Sequence, residues 1–446
     1  MAVVDYPVST HVLGNGLRVV TSTDHNVPAV AVNVRYDVGS RDELTGRTGF
    51  AHLFEHLMFQ GSGHVASGEH FSLLQAVGAV LNGTTSFDRT NYYETLPTGG
   101  FELALWLEAD RMASLLDAVG QVNLDTQREV VKEEKRQSYD NQPYGTWLER
   151  CFRLLFPATH PYAHLPIGSM ADLDAATLDD VHAFFHRYYG PNNAVLSIVG
   201  DVEPDDAFAM AERYFGGIAS IPPPPEPPDG TIGPLTAAAI EDVPDDVPAA
   251  AAYRLLRMPV DPSPELDAAR IAMELLGGGS ASRLHVRLLR HDQLATAVHA
   301  GVIGLRGGVS AGQVVLQAHS GKPLEPLEAA ADDEIARLVA DGPTEDEVAT
   351  AKAQAEHGYL RQLSTCAGRA DELAKLYLQT GDPHRINTRL VDIDAVTVAD
   401  VAALATTWLV PENNAVARFL PRADDNGGAD EDSAAEESAP TEESSV

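Results

Sequence analysis

Asp172-Leu-Asp-Ala-Ala-Thr177 opens a segment that closes on Pro191-Asn-Asn-Ala-Val195, and Asp392-Ile-Asp-Ala-Val-Thr397 opens one that closes on Pro411-Glu-Asn-Asn-Ala-Val416. The offset is 220 residues at the threonines and 221 at the Asn-Asn-Ala-Val runs, so one insertion separates the pair. Both read as a helix followed by a strand, and duplication accounts for the match better than coincidence. Between them, Ile221-Pro-Pro-Pro-Pro-Glu-Pro-Pro-Asp-Gly230 can continue neither a helix nor a central strand, and proline-rich spacers are stiff and extended. The expected division is an N-terminal domain over 1–220, a linker over 221–234, a homologous C-terminal domain over 235–421 and an acidic tail over 422–446. From Asp424 to Val446 there are nine acidic residues and no basic ones, the composition of a disordered segment.

Within each copy the signals are mixed. Asn15-Gly16 between apolar runs marks a hairpin turn, and Val30, Val32, Val34 and Tyr36 alternate as in a half-buried strand. Helices are expected over 49–60, 70–78, 100–118 and 125–140. Strands and helices follow one another without a strict βαβ rhythm. The fold class is therefore α+β, two duplicated domains, each a mostly antiparallel sheet covered by helices.

Composition bounds the function. The 446 residues carry a net charge of −34, which argues against a nucleic-acid binder, because that needs a basic face to displace counterions. Cys151 and Cys366 are too few and too distant for a disulfide framework and read as buried packing residues. No run of apolar residues is long enough for a membrane span, and Met1–Thr10 shows no secretory signal, so the expected location is cytoplasmic.

Chemistry is concentrated in Gly49-Phe-Ala-His52-Leu-Phe-Glu55-His56-Leu-Met-Phe59. On a helix, His52 and His56 lie one turn apart on one face, the spacing two imidazoles need to grip one Zn²⁺. Glu55 can then reach a zinc-activated water as general base without serving as a ligand, the inverted His-x-x-Glu-His arrangement. The alternative is an amphipathic helix with ordinary polar histidines. A third ligand would come from Asp125–Lys135, which offers Glu129, Glu133 and Glu134. Val130 and Val131 mark the expected buried face, and Glu134 falls on it, while Glu129 points away and Glu133 is intermediate. His64 and His70 read as surface or loop residues.

Gly39-Ser-Arg-Asp-Glu43, Gly49–Gly61, Leu81-Asn-Gly-Thr-Thr-Ser-Phe-Asp-Arg-Thr90 and Gln127-Arg-Glu-Val-Val-Lys-Glu-Glu134 together resemble the pitrilysin/insulinase family of zinc peptidases (peptidase M16). The size and duplication resemble its short branch, with the mitochondrial processing peptidase β subunit and bacterial homologues. The resemblance implies one Zn²⁺ per chain held by His52, His56 and Glu134, with Glu55 as general base. It also implies that Asn82, Gly83, Thr84, Thr85 and Ser86 form a sheet edge onto which substrate peptide adds as a strand.

Two departures qualify it. Gln127 stands where family members usually carry a second glutamate, so support around the metal differs. In the C-terminal half, Leu289 and Thr296 stand where active members carry an Arg and, seven residues on, a Tyr. The expected partner is therefore a homologous chain that bears that pair and closes a chamber with this one as a heterodimer, otherwise a second copy. The expected function is a zinc-dependent endopeptidase subunit acting on peptides or unfolded segments. The alternative is a non-catalytic structural or assembly subunit of the same family.

Overall fold

The computed structural model describes residues 4–422. The acidic tail read from the sequence lies outside the described residues, apart from Arg422. Strands β1 (Ser9–Val12), β2 (Arg18–Thr23), β3 (Ala29–Tyr36), β4 (Val80–Thr85), β5 (Thr90–Pro97) and β6 (Ala194–Gly200) form one sheet, in the order β1-β2-β6-β3-β5-β4. Strands β7 (Ala239–Asp245), β8 (Ala251–Met258), β9 (Ala295–Ile303), β10 (Ser310–Ala318) and β11 (Ala415–Pro421) form a second, in the order β7-β11-β8-β10-β9. In each sheet one pair is parallel (β2 with β6, β7 with β11) and the rest are antiparallel. The architecture is α+β.

Helices of the first half are α1 (Phe50–Leu57), α2 (Glu69–Ala76), α3 (Phe101–Ser114), α4 (Gln121–Lys135), α5 (Trp147–Leu155), α6 (Met170–Ala175), α7 (Leu178–Tyr188) and α8 (Pro204–Phe215). Those of the second are α9 (Pro264–Met273), α10 (Glu325–Asp341), α11 (Glu345–Leu363), α12 (Cys366–Thr380), α13 (Arg389–Ala395) and α14 (Val398–Trp408). The repeated signature does the same work twice. Thr177 and Thr397 cap α7 and α14, each accepting from an aspartate N–H three residues on, Asp180 and Asp400. Asn193 and Asn413 then tie the turn before the next strand by donating to Tyr188 O at 2.9 Å and Trp408 O at 2.8 Å. At the hairpin, Gly16 takes φ +88°, which its lack of a Cβ permits.

The reading of Val30–Tyr36 as half-buried is corrected. Val30, Val32, Val34 and Tyr36 face the main core of the first half, but Ala31 on the opposite face is just as buried. The cover is α12, supplied by the second half, whose Leu373, Ala374 and Tyr377 pack on Val20, Ala31, Val195 and Val199. The exchange is reciprocal. Helix α5 of the first half brings Cys151, Phe152 and Leu155 into a shared cluster with Leu255, Ala417 and Phe419 of the second sheet, whose other face carries α9, α10 and α14. Each sheet is thus covered on one face by helices of its own half and on the other by one helix from its neighbour. Both cysteines are buried, each on one of these exchanged helices.

Two smaller expectations fail. Val130 is 43% exposed, because the stripe of α4 that packs inward is Leu124, Gln127 and Val131. His70 is buried on α2 rather than lying at the surface, its ring edge-on to Phe59 and its Nε2 3.9 Å from Glu108 Oε1.

Candidate metal centre

Helix α1 begins at Gly49, which takes φ +89° and carries no side chain to cap the first turn. The open N–H groups are instead met from outside. Glu43 Oε2 accepts from Gly49 N–H at 2.8 Å and Oε1 from Ala51 N–H at 2.7 Å, while His164 Nε2 lies 2.9 Å from Glu43 Oε2. Asp172 accepts from Thr48 N–H at 2.9 Å and from its hydroxyl at 2.7 Å. Leu53, Phe54 and Leu57 bury the inner face of α1. His52, Glu55 and His56 are thereby left on the opposite face, toward β4 and α4.

His52 Nε2 and His56 Nε2 lie 3.6 and 3.3 Å from Glu134 Oε2, and the three donor atoms all fall within 4.8 Å of one another. Four donors at about 2.0–2.2 Å from a tetrahedral Zn²⁺ stand roughly 3.3–3.6 Å apart, so both imidazole–carboxylate distances match that ion, and the donor types suit it. Among the described residues it is the one cluster of three such groups. Burial pushes the His52 imidazole well down, which keeps it neutral and its lone pair available. Glu134 is held low by its hydrogen bond to His56 and the nearby His52, against the effect of burial. Glu133, next in sequence, is exposed and bonds Arg136 and Gln137 at 2.9 and 2.7 Å. Glu129 is exposed and pairs with Lys132 at 3.1 Å. Gln127 is buried on the inward stripe of α4, two turns before Glu134.

Glu55 stands apart from the ligand set. Thr85 Oγ1 donates to its Oε2 at 2.7 Å, and burial raises its carboxyl above the ordinary glutamate range, with the Thr85 hydrogen bond opposing. A carboxyl raised in this way holds a proton more readily than an ordinary glutamate, which suits it to take one up and return it. Thr85 belongs to β4, the free edge of the first sheet. Gly83 in the same strand lies so close to α1 that a Cβ there would meet Glu55 Cγ at 2.9 Å and Phe59 Cε2 at 3.2 Å. Asn82 is exposed, and its Oδ1 accepts from Gly83 N–H at 2.9 Å. Thr84 bonds Asn91 at 2.6 Å, and Ser86 N–H donates to Arg89 O at 2.8 Å at the turn into β5.

In the second half, Leu289 packs against the core around α9, and Thr296 sits exposed on the edge strand β9, donating to Gln317 O at 3.3 Å. Neither carries a cation or a phenol. The holding roles of Thr85, Glu43, His164 and Asp172 do not follow from local pattern. Glu43 stood inside a motif quoted above, but its partners lie on segments distant in the chain.

The description Insulinase (Peptidase family M16) matches residues 18–152, and Peptidase M16 inactive domain matches residues 175–355. An uncharacterized zinc protease of Mycobacterium leprae is 30% identical over 402 residues, covering 88% of this chain and 87% of its own length. The zinc protease PqqE of Helicobacter pylori is 35% identical over 210 residues, covering 47% of each chain. The crystal structure of a protease from Helicobacter pylori superposes with a TM-score of 0.87 at 26% identity, over 93% of this chain and 100% of that one. A chain of complex III from Candida albicans shares the fold, with a TM-score of 0.78 at 15% identity. With a relative matched along nearly its whole length and both halves covered by family descriptions, this chain belongs to the insulinase family of peptidases, M16.

Proposed function

We propose that the chain is the zinc-bearing subunit of an endopeptidase that hydrolyses peptides or unfolded segments. The observation that carries this reading is the convergence of His52, His56 and Glu134 within 4.8 Å, with Glu55 beside them and outside the set. Two imidazoles and one carboxylate suit Zn²⁺ with one position left open. When bound there, zinc would supply Lewis acidity to a peptide carbonyl and to the attacking water. The other steps belong to the chain. Thr85 fixes Glu55 Oε2, so Oε1 is the oxygen that accepts the proton of water and returns it to the leaving nitrogen. The free edge of β4, from Asn82 to Ser86, receives the substrate as an added strand, held by main-chain hydrogen bonds.

Leu289 and Thr296 support the further proposal that a different chain of the same fold supplies a cation and a phenol opposite the metal. They also favour the second reading, a family member kept for assembly. Metal analysis of the purified chain, with hydrolysis of an unstructured peptide before and after chelation and with zinc restored, separates the two. One zinc per chain with chelator-sensitive cleavage supports the peptidase. A chain that takes up no zinc refutes it.

A further inference from the structure

The Gly39-Ser-Arg-Asp-Glu43 stretch has no part in the chemistry above, yet the Glu43 side chain is fully buried against α1. Its two oxygens are each used as acceptors, Oε1 by Ala51 N–H and Oε2 by Gly49 N–H, with the His164 imidazole 2.9 Å from Oε2. Two oxygens that each accept from a backbone N–H favour the carboxylate form, which has acceptor sites on both. Burial raises the Glu43 carboxyl, while His164 and the two N–H groups hold it down, so ionisation depends on those partners. Helix α1 has only eight residues, too short to be stable on its own, and its N-cap is a glycine. Its first-turn N–H groups would otherwise be orphaned, and a negative charge at that end suits the helix dipole. The other approach to that end is equally close. A Cβ on Gly168 would meet Gly49 Cα at 2.3 Å, so the 165–168 turn leaves no slack.

We propose that Glu43, held by His164, is a positioning residue that fixes the axial placement and rotation of α1, and thereby the approach of His52, Glu55 and His56 to Glu134. The effect on turnover rests on the peptidase reading. The effect on the helix does not, because it is a property of the metal-free chain. Glu43 touches neither metal nor substrate. It acts through the backbone of the segment that bears three of the four site residues.

Glu43→Gln keeps the volume and one acceptor but cannot serve both N–H groups, and His164→Asn leaves Glu43 without its imidazole partner. In full-length, metal-free Glu43→Gln, amide hydrogen exchange over 49–57 should quicken about tenfold or more, with exchange across β8, β10 and β11 unchanged. The zinc dissociation constant should rise about 10- to 100-fold, as for other residues that orient ligands. At saturating zinc, kcat should fall about tenfold with KM within about twofold of wild type. His164→Asn should show the same pattern more weakly, and it carries the test if Glu43→Gln does not fold. Unchanged exchange over 49–57 and unchanged zinc affinity in a folded variant, whatever its melting temperature, would reduce Glu43 to packing and overturn the proposal. The exchange and affinity changes without any peptide hydrolysis by wild type would uphold it and refute the peptidase reading instead.

Discussion

The two halves share the order of five strands, to which the first adds β1, together with caps and turn asparagines, yet only one of them gathers the side chains for chemistry. Where α1 follows β3 and lies beside the edge strand β4, α9 follows β8 and lies beside the edge strand β9. Helix α1 presents His52, Glu55 and His56. Helix α9 buries Leu266, Ala268, Ala269, Ile271, Ala272 and Met273. The first edge has Gly83 pressed against Glu55, whereas a Cβ on Gly301 of β9 would meet only the tip of the His299 side chain, at 3.2 Å. The backbone scaffold tolerates either content, so the candidate chemistry belongs to a site placed on one copy of a fold rather than to the fold. The second copy contributes in another way, by covering the first sheet with α12.

The contrast breaks most severely at the ligands. Glu134→Ala should abolish stoichiometric zinc binding while Glu133→Ala should not, as read by metal analysis after dialysis. The reverse outcome would mean that the exposed glutamate, not the inward one, completes the centre. Glu55→Gln comes next. It should keep zinc and lose about 10²- to 10⁴-fold in turnover on an unstructured peptide, since the amide cannot accept the proton. Wild-type turnover in that variant would leave the first half no more chemical than the second.

Much of this asymmetry was legible in the chain. The duplicated Asn-Asn-Ala-Val runs, the hairpin at Gly16 and the His-x-x-Glu-His spacing all express local rules of period, turn and one-turn separation, and local rules survive folding. Glu134 could be picked from its neighbours because Val131 lies three residues earlier on the inward stripe. Val130 was misassigned for the complementary reason: adjacent residues on a helix are about 100° apart, and the inward stripe of α4 is too narrow to take both valines. The double burial of β3 was not legible, since its second cover is a helix hundreds of residues away. The Glu43–His164 contact shares that cause. Its members sit on different loops, and no periodicity relates them.

Smaller effects sharpen the comparison. The isolated chain should be a weak peptidase that gains about 100- to 1000-fold from a homologous chain carrying an Arg/Tyr pair, the worth of a preorganised oxyanion donor. Full activity of the purified chain, unchanged by any partner, would show that Leu289 and Thr296 cost nothing. The least effect is expected at the edge strands. Gly83→Ala should push Glu55 from its bond with Thr85 and lower kcat about tenfold, because small misplacements at a reacting group are costly. Gly301→Ala on β9 should leave kcat unchanged. Steady-state kinetics on the pair, with zinc content matched, would show whether the two edges differ as their neighbours do.

The exchange of α5 and α12 also bears on how the chain is made. A nascent first half emerging from the ribosome has all six strands of its sheet once β6 is out, but the outer face of Val20, Ala31, Val195 and Val199 stays bare until Cys366–Thr380 has been synthesised. During that interval the half-built molecule offers an apolar sheet face, the kind of surface that recruits chaperones or misassociates with another nascent chain. Sealing the first sheet then requires α12 to return, from beyond the proline-rich linker, onto strands synthesised long before it. A premature stop or a cut before residue 366 would therefore leave more than a missing C-terminus. It would leave the half that carries His52, His56 and Glu134 itself unsealed.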